Sequence, residues 1–301
     1  MIKDIIVNLS VARNGSTVGN YAVSVAAALQ AHLTGIAFIY DPVVPISGTG
    51  YIPGDVIESQ RADNETAVEA AIKDFTTATD RAGISAEPQM LSASLTGAGD
   101  QFARMARRFD LAIVGQAQPE MSTMEQIIGE TTLFESGRPI IMVPYIQKAP
   151  FKTDNVMICW DGSRTAARAV ADAIPILGKS SRIEIVSVTS ERGKEDEIEG
   201  ADIGQHLARH GLKVDVHRIS RGNIDVADAL LSHAADSAAD LMVMGGYGHS
   251  RLREFVLGGV TRSIFQSMTL PVLLSHLSMI PKSGNRFPAC AKPVVTICTF
   301  V

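Results

Sequence analysis

The sequence has few cysteines, no long apolar run and no run of charges of one sign. Its three cysteines, Cys159, Cys290 and Cys298, form no CxxC pair. An odd number without metal-binding spacing argues against a disulfide framework or a zinc site and favours a reducing compartment. No apolar run reaches the roughly 18 residues that a membrane helix needs, and the net charge is −5. We therefore expect neither a membrane nor a nucleic acid as a partner.

The N-terminal residues and the overall composition further limit the class of protein. The first residues contain only a short apolar stretch, which is too short for a secretory signal, so we expect a cytoplasmic protein. The 301 residues are 46% apolar and 20% charged. Such a composition is typical of a folded globular protein, and the length suggests two domains.

The two halves of the chain repeat one pattern. The segment KDIIVNLS recurs as DNVMICWDGS, so that Ser10 takes the place of Asp161. Likewise FDLAIVGQ, from Phe109, matches ADLMVMGG, from Ala239, and RPIIMVPY, from Arg138, matches LPVLLSHL. Strand-like runs alternate with Ala-rich segments of helical periodicity, which predicts β-α-β-α-β-α-β-α-β in each copy. The expected fold is therefore α/β, with two tandem doubly wound, mainly parallel five-stranded sheets of Rossmann-like type.

The repeat also predicts the domain limits. The first domain spans 1–147 and the second spans 152–280, whereas 281–301 fits neither copy and is a tail of unknown structure. Residues 41–64, which are rich in proline and glycine, are predicted to form a loop over the sheet edge. Gly178 is predicted to cap the end of the helix that starts near Thr165.

The most informative motif follows the fourth strand of the second copy. There the sequence VMGGYGHSRLREFVLGGVTRS gives Gly245-x-x-Gly248, then nine residues, then Gly258-Gly259. Glycines at a strand-to-helix turn let backbone N–H groups approach phosphate oxygens, and the helix N-terminus adds partial positive charge. In doubly wound sheets ligands bind at this edge. No GxxxxGK[ST] occurs, which argues against a P-loop ATPase.

This motif, at this place in the repeat, resembles that of the universal stress protein family in its tandem, two-domain form. The ATP-binding members of the family carry Gly-x2-Gly-x9-Gly followed by Ser or Thr, and here Gly259 stands where the hydroxyl residue is expected. The resemblance implies a fold of the adenine nucleotide alpha hydrolase type. It also implies ATP or a related adenine nucleotide, with or without Mg²⁺, in the second domain, and a role as a stress-response sensor or regulator.

The resemblance further assigns roles to residues. Asp161 would hold the ribose, the backbone of Val188 would meet the adenine, and Met244 would lie at the adenine edge. The loop around the phosphates would comprise Gly245, Tyr247, Gly248, Gly258, Gly259, Val260 and Thr261. Structural explanations stay open for each: Asp161 could cap a helix, Val188 and Met244 could be ordinary core residues, and the glycines could only permit a turn or close packing.

The first copy departs from the motif. Gln118 replaces the second glycine and Ser10 replaces the acid, so we expect this copy to have lost nucleotide binding and to act as a structural partner. Because the family commonly dimerises through its last strands, those of the two copies are expected to pair within one chain as a pseudo-dimer. A homodimer and a protein partner are left open. No catalytic constellation surrounds the loop, so no efficient turnover is expected; the alternatives are a slow ATP hydrolase and a nucleotide-free interaction module.

Overall fold

The computed structural model describes residues 1–10, 16–40, 54–94, 97–118, 123–189, 200–246 and 259–277. Within these ranges strands and helices alternate along the chain. The strands are β1 Asp4–Asn8, β2 His32–Tyr40, β3 Ala86–Ala93, β4 Leu111–Gly115, β5 Ile140–Val143, β6 Asn155–Cys159, β7 Arg182–Thr189, β8 Val214–Ser220, β9 Leu241–Gly245 and β10 Val272–Ser275. The helices are α1 Ser16–Leu29, α2 Gly54–Ala82, α3 Gly97–Ala106, α4 Thr123–Glu135, α5 Arg164–Leu177, α6 Ala201–Arg209, α7 Val226–Asp236 and α8 Val260–Ser267.

All of these strands belong to one sheet, in the order β3-β2-β1-β4-β5-β10-β9-β6-β7-β8. The first five strands and the last five have the same internal order, with the first strand of each half beside the second and fourth. Every neighbouring pair within a half is parallel. The α/β fold and the mainly parallel, doubly wound arrangement are confirmed.

The two halves join through their last strands. β5 and β10 pair antiparallel, with Ile141 opposite Leu273. These two residues occupy equivalent places in the repeat, so each half presents the same edge to the other, as in an isologous two-fold interface. The pairing of the last strands within one chain, expected from the sequence, is present.

Apolar cores on the two faces of the sheet run through both halves. One face buries residues of α1, α2, α5 and α6 against the strands, and the other buries residues of α3, α4, α7 and α8. The sheet interior is dominated by β-branched and leucine side chains, as expected for strands covered on both faces. No helix in the described ranges is long and apolar enough to cross a membrane.

The structure corrects one prediction and confirms another. Residues 54–64, predicted to belong to a loop, form the first turns of α2, which continues to Ala82. The prolines and glycines of that segment all lie at or before Gly54, and the following residues favour a helix. Gly178 caps the end of α5 as predicted, with its N–H donating to Ile174 and Ile176 carbonyls. Residues 41–53 and the tail 281–301 lie outside the described residues.

Candidate functional site

The candidate site lies at the carboxyl edge of the second half, where the strand order reverses. β6 has β7 on one side and β9 on the other, so the chain leaves β6 in one direction and returns on the opposite side. Cys159, at the end of β6, is in register with Val186 of β7, and Ile158 is in register with Val243 of β9. Asp161 follows the end of β6, and Val188 and Met244 lie near the ends of the neighbouring strands β7 and β9. Neighbouring strands lie about 4.8 Å apart, so the three residues are close to one another at this reversal.

Asp161 lies in the turn between β6 and α5, with its side chain exposed. Its Oδ1 accepts a hydrogen bond from the Ser163 backbone N–H at 2.9 Å, and no second hydrogen-bond partner occurs within the described ranges. The N-cap of α5 is Ser163, whose Oγ accepts from the Ala166 N–H at 3.1 Å. The alternative that Asp161 is present as the helix cap is therefore wrong. Its carboxylate is oriented by the turn and directed toward solvent rather than into the core.

Gly245 ends β9 and packs directly on the first turn of α5. A Cβ at this position would lie 2.6 Å from the carbonyl carbon and Oγ1 of Thr165 and from the amide nitrogen of Ala166. Its φ is not in the left-handed region, so the absence of a side chain serves close approach and not an unusual backbone conformation. The packing explanation for this glycine is therefore correct, whatever it contributes to a ligand.

The other end of the glycine motif forms the start of α8. Gly259 is the N-cap, with extended backbone and no side chain to bond the first-turn amides, and Val260 and Thr261 follow as the first helical residues. Thr261 is buried at 5% exposure, whereas Val260 is half-buried. Tyr247, Gly248 and Gly258 lie outside the described residues. The arrangement provides a helix N-terminus, which favours negative charge, without a capping side chain.

The apolar side chains at this edge pack, wholly or in part, against the two cores of the sheet. Met244 is 5% exposed and packs in the core on the α7 and α8 face, and Val188 is half-buried against the same core. Trp160 packs against the core on the opposite face. Burial raises the pKa of the Cys159 thiol, and the nearby Asp161 carboxylate adds to that shift. The thiol, which is half-buried and packs against the core, is therefore protonated at neutral pH.

The equivalent edge of the first half contains an internal carboxylate. Ser10, at the place of Asp161, donates its Oγ proton to Glu125 Oε1 at 2.8 Å. Glu125 lies in the first turn of α4, the helix equivalent to α8. Burial raises the pKa of Tyr40, at the end of β2, and the nearby Glu125 carboxylate adds to that shift. A negative group thus already occupies the helix N-terminus of the first half.

Glu125 was not identified from the sequence. The available signal was an acidic residue in the first turn of a predicted helix, which is common and uninformative on its own. Its meaning depends on the contact with Ser10, which is distant in sequence. Across the described ranges, no three His, Cys, Asp or Glu side chains come together in a way that could hold a metal ion.

Comparison with known proteins agrees with this geometry. Residues 152–276 match the model of the universal stress protein family. A universal stress protein of Synechocystis sp. is 26% identical over 175 residues, which cover 55% of this chain and 57% of that relative. The chain thus spans little more than half of the length of this relative.

Two solved structures share the fold. A universal stress protein from Archaeoglobus fulgidus superposes with a TM-score of 0.65 at 18% identity, covering 91% of this chain and 96% of that one. A protein of unknown function from Pseudomonas aeruginosa superposes with a TM-score of 0.58 at 16% identity, covering 91% and 92%. The second half of the chain, over residues 152–276, is thus similar to the universal stress protein family, and the chain as a whole shares the fold of the Archaeoglobus fulgidus member.

Proposed function

We propose that the chain binds ATP or a related adenine nucleotide at the carboxyl edge of its second half and acts as a regulator in stress adaptation. One contrast carries the proposal. In the second half, the helix that follows β9, α8, has Gly259 as its N-cap and no capping side chain. In the first half, the equivalent edge holds the Glu125 carboxylate. An anionic ligand therefore has a favourable place in the second half and a repulsive one in the first.

The residues present fit an adenine nucleotide. Asp161 offers a carboxylate with only one oxygen engaged among the residues that the structure describes, which suits a pair of ribose hydroxyls. The backbone of Val188 in β7 would meet the adenine, and Met244 in β9 would lie at its edge. The phosphates would lie against the motif from Gly245 to Thr261, including Tyr247, Gly248, Gly258, Gly259 and Val260, with Mg²⁺ on the phosphates where it is bound.

We further propose that the chain is a tandem of two domains, 1–147 and 152–280. The equal strand order of the halves supports this division, as does their junction through β5 and β10. The connecting segment is anchored on the first half, because the Phe151 N–H donates to Ser24 Oγ and its ring contacts Tyr21 edge-on. The first domain then acts as a built-in partner for the second, in the cytoplasm.

We derive a regulatory step from the expectation that the nucleotide is bound without efficient turnover. Nucleotide contact with residues 245–261 would change the surface that this edge offers to a protein partner, which requires different affinities in the two states. Hydrogen exchange across this segment, measured with and without saturating ATP, tests that step. Unchanged exchange would remove it while leaving binding itself intact.

The binding proposal is tested by calorimetry on the full chain with millimolar Mg-ATP. Asp161→Ala should weaken binding at least about tenfold, because hydrogen bonds to a charged acceptor are lost. Ser10→Ala, at the equivalent place in the first half, is the matched control and should bind within about twofold of the parent. A silent titration of the parent protein would refute nucleotide binding and favour a nucleotide-free interaction module.

A further inference from the structure

The residue at the root of the glycine motif, Gly246, is fixed by contacts on several sides. Its N–H donates to the Ser275 carbonyl at 2.8 Å, continuing the β9–β10 ladder. Its carbonyl oxygen lies 2.9 Å from Nδ1 of His276. A carbonyl only accepts hydrogen bonds, so Nδ1 must carry the proton. His276 thus holds the peptide at which the chain leaves the sheet and enters the motif.

The first half supplies the wall behind this contact. A Cβ on Gly246 would lie 2.9 Å from a methyl carbon of Leu133 in α4, so the peptide packs closely against that helix. The next residue of α4, Phe134, meets the His276 ring edge-on, with centroids 4.8 Å apart and an interplanar angle of 81°. One helix of the first half therefore contacts both partners of the hydrogen bond.

The equivalent residues of the first half are built differently. Gln116 stands in the place of Gly246, and its side-chain amide donates to the carbonyls of Phe265 at 2.9 Å and Gln266 at 3.3 Å, at the end of α8. Pro144 stands in the place of His276 and has no ring donor. The glycine–histidine pair therefore occurs only in the half that carries the glycine motif, whereas the first half uses the same place to join the halves.

We propose that His276 is a positioning residue that fixes the start of the nucleotide loop, and that Phe134 of the first half holds its ring in place. This inference rests on the proposed nucleotide site and goes beyond it, since it makes the affinity of the second half depend on a side chain of the first. The hydrogen bond restricts the Gly246 peptide before ligand arrives, which lowers the ordering cost on binding.

The test uses the full chain and two readouts: ATP affinity by calorimetry and the exchange rate of the Gly246 amide by NMR. His276→Ala and Phe134→Ala should each weaken ATP binding, with His276→Ala costing about fivefold, the ratio for one neutral hydrogen bond. Both should speed exchange at Gly246. His276→Asn, which keeps an N–H donor near the Nδ1 position, should restore most of both properties.

Two exposed residues provide matched controls. His210→Ala on α6 and Gln126→Ala on α4 should leave affinity and exchange at parent values. The inference is overturned if His276→Ala changes neither readout, or if His276→Asn fails to restore them. If the parent protein binds no ATP, the proposed function fails, and the exchange rate of Gly246 alone then decides whether His276 positions this peptide.

Discussion

Gly245→Ala tests whether the close approach of β9 to α5 determines the identity of this residue. The added Cβ would lie 2.6 Å from two backbone atoms and one side-chain atom of Thr165 and Ala166. Backbone atoms of a helical first turn cannot move aside cheaply, and overpacking a filled site costs about 1–3 kcal/mol. We expect a loss of about 2 kcal/mol in the free energy of unfolding.

The measurement is urea denaturation of Gly245→Ala beside Gly178→Ala. Gly178 has a right-handed helical conformation, and its nearest neighbour to an added Cβ is the Ile174 carbonyl oxygen at 3.8 Å. Alanine there should be neutral or stabilise by up to about 1 kcal/mol, since it restricts the unfolded chain. Equal midpoints for the two variants would refute the packing argument and leave ligand contact as the reason for the glycine.

Three further perturbations test other contacts. Gln116→Ala should lower the free energy of unfolding by about 2 kcal/mol, because two carbonyls at the end of α8 lose the donor that Gln116 supplies. Midpoints of urea denaturation measure this loss. Glu184 is 1% exposed, pairs with Arg182 at 2.8 Å and contacts His233 at 3.1 Å. Glu184→Ala should therefore cost about 3 kcal/mol in the same assay, against under about 0.5 for a surface pair. In a variant without the other two cysteines, Cys159 should react with iodoacetamide at pH 8 at least about tenfold more slowly than in urea, because its raised pKa keeps it protonated. Fast alkylation of the folded protein would contradict its burial.

Most of the fold could be predicted because the signals are local and repeated. The strand-like runs in FDLAIVGQ and ADLMVMGG are found as strands at Leu111–Gly115 and Leu241–Gly245, and the cap at Gly178 is found where the helical pattern ends. The loop prediction failed for 54–64 because it was based on the glycines and prolines of 41–54. Residues 55–64 contain neither residue type and form a helix. Composition averaged over a long segment conceals where the helix-breaking residues stop.

The candidate site was harder to predict from the sequence, because its decisive contacts join distant parts of the chain. The motif identified Gly245 and the family resemblance identified Asp161, but only the coordinates reveal that Gly245 packs on Thr165 and that Ser163 is the helix cap. The Ser10–Glu125 bond spans 115 residues. No periodicity or spacing rule predicts a contact of that kind, since it depends on how helices lie over the finished sheet.

Contacts between the halves were predicted only at the level of strands. The equivalence of 138–144 and 270–276 was sufficient to expect pairing of β5 with β10. The contacts directly after β4 and β9 differ between the halves. Gln116 donates a side-chain hydrogen bond to α8, whereas Gly246, at the equivalent place, has no side chain and packs closely against Leu133. A repeat in sequence predicts the shared backbone, whereas function depends on the positions where the copies differ.

The central claim is that one half, and only one, binds nucleotide. Native mass spectrometry of the full chain after incubation with millimolar ATP counts the bound molecules directly, with Asp161→Ala and Ser10→Ala measured alongside. The account predicts one nucleotide per chain in the parent and in Ser10→Ala, and a smaller bound fraction in Asp161→Ala. Two nucleotides per chain, or none in the parent, would contradict it.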